Sequence, residues 1–171
     1  MASSILISVT EYLRSTYRPD CEYVDGRVEE RNAGEHDHAA VQAALILWFG
    51  RHQEEWRIEV LPEQRIRIAE NRFRVPDVCL VSLDQPVEQV LTRPPLVCIE
   101  ILSPEDTLRR MQERIMDYQK LGVENIWILD PGTKRGYNCR PSGWLDAAEF
   151  SVASTPIRLV LSDLFAGIRR S

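Results

Sequence analysis

One short segment of the sequence limits the possible folds more than any other: residues 96–102, LVCIEIL. A nearly continuous apolar run of this length is typical of a central β-strand that is buried on both faces. After it, apolar residues recur at steps of three and four, at Leu108, Met111, Ile115 and Tyr118. They predict the apolar face of a helix over about residues 106–121, with Gly122 as its C-cap. Residues 125–129 (NIWIL) form a second apolar run. A strand, a helix and a strand at this spacing predict a right-handed crossover between two parallel strands.

The sequence before this unit predicts further elements around the same sheet. Ser8 or Thr10 can cap a short first helix, and Asp25-Gly26 is a strong hairpin signal. An apolar period of 3.6 predicts a helix over about residues 35–53. Strands are predicted over residues 57–61, 64–69 and 75–82, with a turn at Glu70-Asn71. The predicted class is therefore α/β (α+β), with a mixed central sheet flanked by helices.

Length and composition agree with this class. The chain has 171 residues, of which 44% are hydrophobic and 27% charged, as in ordinary globular proteins. A domain of this size can bury a core without disulfides or a structural metal. We expect one domain over residues 1–171, in which residues 1–20 form an N-terminal helical extension. No run of about 18 apolar residues occurs, so we expect no membrane-spanning segment.

The cysteines indicate the cellular location of the protein, and the net charge limits the kinds of partner that it can bind. Four cysteines are widely spaced, and two of them, Cys79 and Cys98, lie inside apolar runs where a thiol behaves as a small hydrophobe. We therefore expect reduced, structural cysteines and a cytoplasmic location. The net charge of −5 argues against strong nonspecific binding to nucleic acid, although unevenly placed arginines leave a local basic groove possible.

Two acids on neighbouring predicted strands are the main candidates for chemistry. Glu100 interrupts the buried run, and a buried carboxylate is costly unless it is paired, hydrogen-bonded or coordinated. Asp77 follows Pro76 and opens the preceding strand. If the two strands are antiparallel neighbours, the start of one lies beside the end of the other, so the carboxylates meet at one edge of the sheet. Such a pair attracts Mg²⁺ or Mn²⁺, which prefer oxygen ligands.

A structural role for each acid is an alternative at this stage. Glu100 can form a buried ion pair with an arginine, in which case no metal enters. Asp77 can cap its strand or pair with Arg72 or Arg74.

Several short motifs give the chain a specific resemblance. They are Val75-Pro76-Asp77, Glu100-Ile-Leu-Ser103-Pro104, Gly122-Val123, Trp127-Ile-Leu-Asp130-Pro131, and the earlier Glu22-Tyr-Val-Asp25-Gly26 and Glu35-His-Asp-His38. In this combination the chain resembles the Uma-type (Uma-two) family of restriction endonucleases, in the PD-(D/E)XK nuclease superfamily, from about residue 10 to residue 166. The resemblance implies a restriction-endonuclease-like core and Mg²⁺-dependent hydrolysis of phosphodiester bonds.

The resemblance also implies roles for particular residues. Asp77 and Glu100 match the motif acids that bind the metal, and Glu22 matches a further acidic position and is a weaker ligand candidate. Leu102 stands two residues after Glu100, at a metal-site position where the superfamily often has a lysine.

Family members commonly supply a lysine from the following helix instead, and the matching residue here is Arg114. An arginine can stabilise phosphate charge but cannot act as a general base, because its pKa lies above about 12. Water activation would then depend on the metal alone. The alternative for Arg114 is an exposed helix residue paired with Glu113 or Asp117.

Other polar residues are candidates for substrate contact. His38, early in its helix, could contact the site or could be an ordinary polar residue at a helix end. The arginines of the predicted strands alternate so that members of each pair share a face, and they could contact a nucleic-acid backbone or balance nearby acids. These arginines are Arg65, Arg67, Arg72 and Arg74.

Two functions of different class follow from these residues. The first is a metal-dependent endonuclease acting on DNA, plausibly as a homodimer, since cutting both strands needs two sites. The second is a catalytically inactive nuclease-fold module that binds nucleic acid or a protein partner, which the missing lysine and the negative charge favour.

Overall fold

The computed structural model describes residues 6–18, 20–31 and 35–169, so residues 1–5 and 19 of the predicted N-terminal extension lie outside the described residues. The helices are α1 (Val9–Arg14), α2 (His36–Gly50), α3 (Gln53–Trp56), α4 (Leu108–Leu121) and α5 (Leu161–Ala166). The first strands are β1 (Cys21–Val24), β2 (Arg27–Glu30), β3 (Ile58–Pro62), β4 (Ile66–Ala69), β5 (Arg72–Arg74) and β6 (Val78–Ser82). The remaining strands are β7 (Val97–Ile101), β8 (Asn125–Asp130), β9 (Arg135–Arg140), β10 (Gly143–Asp146), β11 (Glu149–Ser151) and β12 (Arg158–Val160).

The central sheet is mixed, with strand order β10-β9-β8-β7-β6-β3. β6 pairs with β7 antiparallel, and β7 pairs with β8 parallel through the crossover helix α4. Side chains that alternate along these strands form two apolar layers, because successive residues of a strand point to opposite faces. One layer packs against α2 and α5 and the other against α4. The predicted α/β architecture and its crossover are confirmed.

A second, four-stranded sheet joins the first through residues 75–77. Its order is β2-β1-β5-β4, and its aromatic residues pack against α1. The single strand predicted over residues 75–82 is therefore wrong at its start, because β5 ends at Arg74 and β6 begins only at Val78. Pro76 lies between them and has no N–H to donate to a strand ladder. Asp77 consequently lies at the joint between the two sheets.

The helix boundaries follow the local sequence signals closely. Ser8 caps α1 by accepting a hydrogen bond from the Glu11 backbone N–H, at 3.1 Å. α4 begins at Leu108, two residues later than predicted, because the Thr107 hydroxyl caps it by accepting from the Arg110 N–H, at 3.3 Å. Gly122 ends α4 in the left-handed region, with φ of 100°.

The expected core residues are largely buried. Trp127 is fully buried, whereas Trp48 and Trp56 are partly buried against the same apolar layer. Leu108 was predicted on the apolar face of its helix but is 62% exposed, since it is the first residue of α4. All four cysteines are buried. Among the described residues, none of the helices has the length and apolar character needed to cross a membrane.

Candidate active site

Asp77, directly before β6, lies opposite Glu100 of β7 when the strand register is continued by one residue. Val78 pairs with Ile99 in the antiparallel register, so the register continued by one residue places Asp77 opposite Glu100. Directly opposite residues of antiparallel strands share a face of the sheet. Asp77 is 3% exposed and Glu100 is 1% exposed. The predicted antiparallel pairing of these strands is thus confirmed, and it brings the two acids to neighbouring positions.

Asp77 is surrounded by donors. Its Oδ2 accepts a hydrogen bond from the Ile101 backbone N–H at 2.7 Å, next to Glu100 on β7. Its Oδ1 is paired with the Arg31 guanidinium and lies 3.3 Å from Nε2 of His38. The Gln42 side chain donates to the Asp77 backbone carbonyl at 3.0 Å, which ties α2 to the joint between the sheets. The partners considered from sequence, Arg72 and Arg74, pair with other acids.

Glu100 faces the crossover helix. The Tyr118 hydroxyl donates to Oε1 of Glu100 at 2.5 Å, and Nη1 of Arg114 lies 3.6 Å from Oε2. Arg114 and Tyr118 are four residues apart on α4 and therefore share a helix face. Arg114 is 7% exposed, so the alternative of an exposed surface residue is wrong. Glu100 does have an arginine partner, as the structural alternative required.

Glu22 connects the second sheet to this helix. Its Oε2 accepts from Nη1 of Arg74 at 2.7 Å and from Nε of Arg114 at 3.2 Å, while its Oε1 accepts from the Val75 N–H at 3.2 Å. Nε of Arg74 in turn bonds Asp117 on α4 at 2.7 Å. Glu22 and Arg74 are almost fully buried. The network therefore holds Arg114 between Glu22 and Glu100.

The acids of the site have opposite pKa shifts. Burial raises the pKa of Glu100 to about 8, with the Arg114 guanidinium acting against this shift and the charges of Asp77 and Glu22 adding to it. Burial alone would also raise the pKa of Asp77, but the hydrogen bond with His38 and the charge of Arg31 outweigh it and hold the pKa below its usual value. Asp77 is thus the ionised member at neutral pH, and Glu100 the one that retains a proton.

The pKa values of Glu22 and His38 shift in the directions that favour their charged forms. Burial opposes ionisation of Glu22, yet Arg114 and Arg74 hold its pKa below the usual value. Burial likewise opposes protonation of His38, but its hydrogen bond to Asp77 raises the pKa of the imidazole above the ordinary value. The site is therefore an alternation of acidic and basic side chains.

The carboxyl groups of Asp77 and Glu100 fit a hard divalent cation, with the proton of Glu100 released when the cation binds. Carboxylate oxygens are the preferred ligands of Mg²⁺, which commonly takes one or two carboxylates and keeps several waters. In the part of the chain that the structure describes, no three His, Cys, Asp or Glu side chains converge as a metal cluster. Because Arg31 contacts Asp77 and Arg114 faces Glu100, a cation at this position has to share these oxygens with guanidinium groups or displace them.

His38 and Leu102 are the remaining candidates near the two acids. His38, in the first turn of α2, reaches Asp77 as described above. Leu102 lies just beyond the end of β7, where its N–H donates to the Leu129 carbonyl at 2.8 Å and its side chain packs towards α4. As a leucine it can offer a cation only its backbone carbonyl.

The arginines predicted to contact substrate do not form one surface. Arg74 is 2% exposed and enclosed by acids. Arg65 pairs with Asp20 at 2.9 Å and lies over the Tyr12 ring, on the side of α1. Arg67 is exposed and lies over the Phe73 ring. Of these three, only Arg67 has an exposed side chain that is not engaged in an ion pair among the described residues.

Sequence reasoning missed Arg31 and Tyr118. Nothing in the local pattern separates Arg31 from the other arginines, since its partner Asp77 is 46 residues away. Tyr118 was assigned to the apolar face of its helix. Its spacing of four from Arg114 is a signal that could have placed its hydroxyl beside the same acid.

The comparisons with known proteins agree with this fold. A family model described as "Uma2: Putative restriction endonuclease" matches residues 9–168. The fold defines a restriction-endonuclease-like class of protein. The chain belongs to the Uma2 family. None of the curated proteins compared with the chain matches it significantly.

Two solved structures are similar to the chain. The first is described as a putative nuclease belonging to DUF820 from Anabaena variabilis ATCC 29413, with 20% sequence identity and a TM-score of 0.77, covering 94% of this chain and 98% of that one. The second, a DrdV–DNA complex, has 16% identity and a TM-score of 0.45, covering 78% of this chain and 11% of that one. The first likeness shows a shared fold.

Proposed function

We propose that this chain is an endonuclease that uses Mg²⁺ or Mn²⁺ to hydrolyse phosphodiester bonds, with DNA as its substrate. The observation that supports it best is the pair of buried acids, Asp77 directly before β6 and Glu100 opposite it on β7. Membership of a family described as restriction endonucleases supports the reaction class.

The side chains of the site take separate parts in this proposal. Asp77 and Glu100 hold the cation, and Glu22 keeps Arg114 beside them. Arg114 stabilises the charge of the phosphate, for which a planar guanidinium is well suited. A bound divalent cation would polarise a phosphoryl oxygen and promote ionisation of an attacking water. His38 orients Asp77 through its contact with Oδ1.

A homodimer is part of this proposal, because cleavage of both strands requires two sites. Sedimentation of the purified protein, alone and with a short duplex, measures it. A monomer under both conditions would limit the activity to nicking.

The test of the proposed activity is cleavage of supercoiled plasmid with Mg²⁺ or Mn²⁺. We expect the wild type to cut, and Asp77→Asn to lose at least about a hundredfold in rate, since removal of a buried catalytic charge has effects of this order. Asp84→Asn is the matched control, because Asp84 is exposed and pairs with Arg57. Equal cleavage by wild type and Asp77→Asn would show that the activity belongs to a contaminant.

A second candidate is a non-cleaving module that binds nucleic acid or a protein. Two observations favour it: an arginine stands at the position of the family lysine, and Asp77 is already paired with Arg31. Wild-type protein that retards duplex DNA in a gel but leaves it intact with both cations would support this candidate over the first.

A further inference from the structure

Arg31 lies between the buried acid of the site and the protein surface. It directly follows β2, and its side chain is 8% exposed. Its Nη2 pairs with Oδ1 of Asp77, and its Nη1 lies 3.4 Å from Oε1 of Glu63. Glu63 is 48% exposed, so this guanidinium bridges an enclosed carboxylate and one that solvent reaches.

The two carboxylate oxygens of Asp77 have different partners and therefore differ in how readily a cation can bind them. Oδ2 accepts the Ile101 N–H, a backbone donor of β7 that cannot move away without distorting this interior strand. Among the described residues, Oδ1 is contacted by the side chains of Arg31 and His38 and by no backbone group. A cation that binds Asp77 in this fold therefore approaches Oδ1, where Arg31 already lies.

A guanidinium and a divalent cation cannot share this position freely. Both require the lone pairs of Oδ1, and their charges repel each other in a site of low exposure, where such repulsion is poorly screened. Removal of one partner of a buried ion pair leaves the other charge uncompensated. Arg31, together with His38, thus stabilises the buried negative charge of Asp77, and a divalent cation can take over the part of Arg31.

We propose that Arg31 is a displaceable counter-ion that competes with the divalent cation for Oδ1 of Asp77 and so sets the affinity of the site for metal. This inference rests on the proposed metal-dependent function. When the cation binds, the guanidinium leaves Oδ1 and remains near Glu63 at the surface. Glu63 therefore helps to determine how easily Arg31 moves.

The experiment measures Mn²⁺ binding by isothermal titration to the full chain, without substrate. We expect Arg31→Gln to bind Mn²⁺ at least tenfold more tightly than the wild type. The matched control is Arg135→Gln, an arginine that pairs with Asp146 on the surface at 2.6 Å, and its affinity should equal that of the wild type. Asp77→Asn should remove binding in either background.

A second readout covers the possibility that Arg31→Gln folds poorly. This variant should have a lower melting temperature than the wild type, and Mn²⁺ should restore it more strongly than it raises that of the wild type, because a ligand stabilises the state it binds. Glu63→Gln, at an exposed position, should fold normally. It should weaken Mn²⁺ binding by about two- to threefold, because the displaced Arg31 loses its partner at the surface.

The outcomes separate this inference from the proposed function. Equal Mn²⁺ affinity in wild type and Arg31→Gln, with loss in Asp77→Asn, overturns the role of Arg31 but leaves the metal site intact. Absence of Mn²⁺ binding in both the wild type and Arg31→Gln overturns both proposals. Binding that survives Asp77→Asn assigns the cation to another site and also overturns the role of Arg31.

Discussion

Tyr118 and Glu100 form a buried hydrogen bond that joins the crossover helix to the central strand before it: the hydroxyl of Tyr118 donates to Oε1 of Glu100. Both groups are almost completely enclosed by protein. Burial and the neighbouring Glu100 also keep the pKa of Tyr118 well above its usual value, so the phenol remains a donor throughout the physiological range. It is the hydrogen bond that α4 gives to Glu100, beside the ion pair of Glu100 with Arg114.

Tyr118→Phe tests what this bond contributes. The ring is retained while the donor is removed, so the variant should unfold with a free energy lower by about 1–3 kcal/mol, the usual cost of leaving a buried acceptor unsatisfied. Urea denaturation followed by circular dichroism measures it. Tyr137→Phe, on the half-buried face of β9, is the control and should change the free energy by less than about 0.5 kcal/mol. Equal losses in the two variants would mean that the Tyr118 bond adds nothing specific.

The raised pKa of Glu100 predicts a dependence of stability on pH. Its ordinary value is 4.5 and its value in the folded protein is about 8, so between these limits the folded state holds a proton that the unfolded state has released. Stability therefore falls as pH rises from about 4.5 to 8, by at most about 1.4 kcal/mol per pH unit from this group. Acidification below this window gives no further gain from Glu100.

Glu100→Gln isolates this contribution. An amide resembles the protonated carboxyl group and still accepts from Tyr118, so the variant should gain stability over the wild type steadily as pH rises from 5 towards 8. The measurement is the free energy of unfolding of both proteins at several pH values and constant salt. A difference between them that does not change with pH would contradict the assignment.

The fold was largely predictable because its signals are local. The nearly continuous apolar run of residues 96–102, the period of α4 and Gly122 predict the crossover, and the structure contains it. The exception is the strand expected over residues 75–82. Pro76 was counted within the strand, although its missing N–H ends one sheet before the next begins.

The partners in the site were less predictable, because they depend on distance in space and not along the chain. Glu100 was found as a single acid in an apolar run, and Asp77 as the residue that follows Pro76 at the predicted start of the neighbouring strand. Arg31 was not, since its partner is 46 residues away along the chain and the sequence holds eighteen other arginines that could pair with the same acid. Opposite charges alone carry no information on which arginine meets which acid.

Arg74 is the residue at which the buried ion-pair network with Glu22 and Asp117 can be tested. Arg74→Met should lower the free energy of unfolding by about 3–5 kcal/mol, because it leaves the buried acids Glu22 and Asp117 short of a positive partner. Arg135→Met removes a surface pair instead and should cost less than about 1 kcal/mol. Thermal and urea denaturation measure both. A loss in Arg74→Met as small as in the control would show that water replaces the guanidinium readily.

Arg114 is the residue at which activity can be separated from stability. Its Nε and Nη1 contact Glu22 and Glu100 at 3.2 and 3.6 Å, a two-point contact that a lysine cannot reproduce. Arg114→Lys should therefore destabilise the fold, by about 1–2 kcal/mol, the cost of one charged hydrogen bond. A lysine, however, lowers its pKa readily when buried and can then accept a proton, which arginine cannot.

Cleavage by Arg114→Lys should consequently rise at least tenfold over the wild type in plasmid assays with Mg²⁺, despite the lower stability. The double variant Arg114→Lys with Asp77→Asn is the control and should be inactive, which ties any gain to the site. Arg109→Lys, an exposed change on the same helix, should leave the rate unaltered. If Arg114→Lys cuts no faster than the wild type while remaining folded, the arginine is not what limits activity, and the site works with a guanidinium in place of the family lysine.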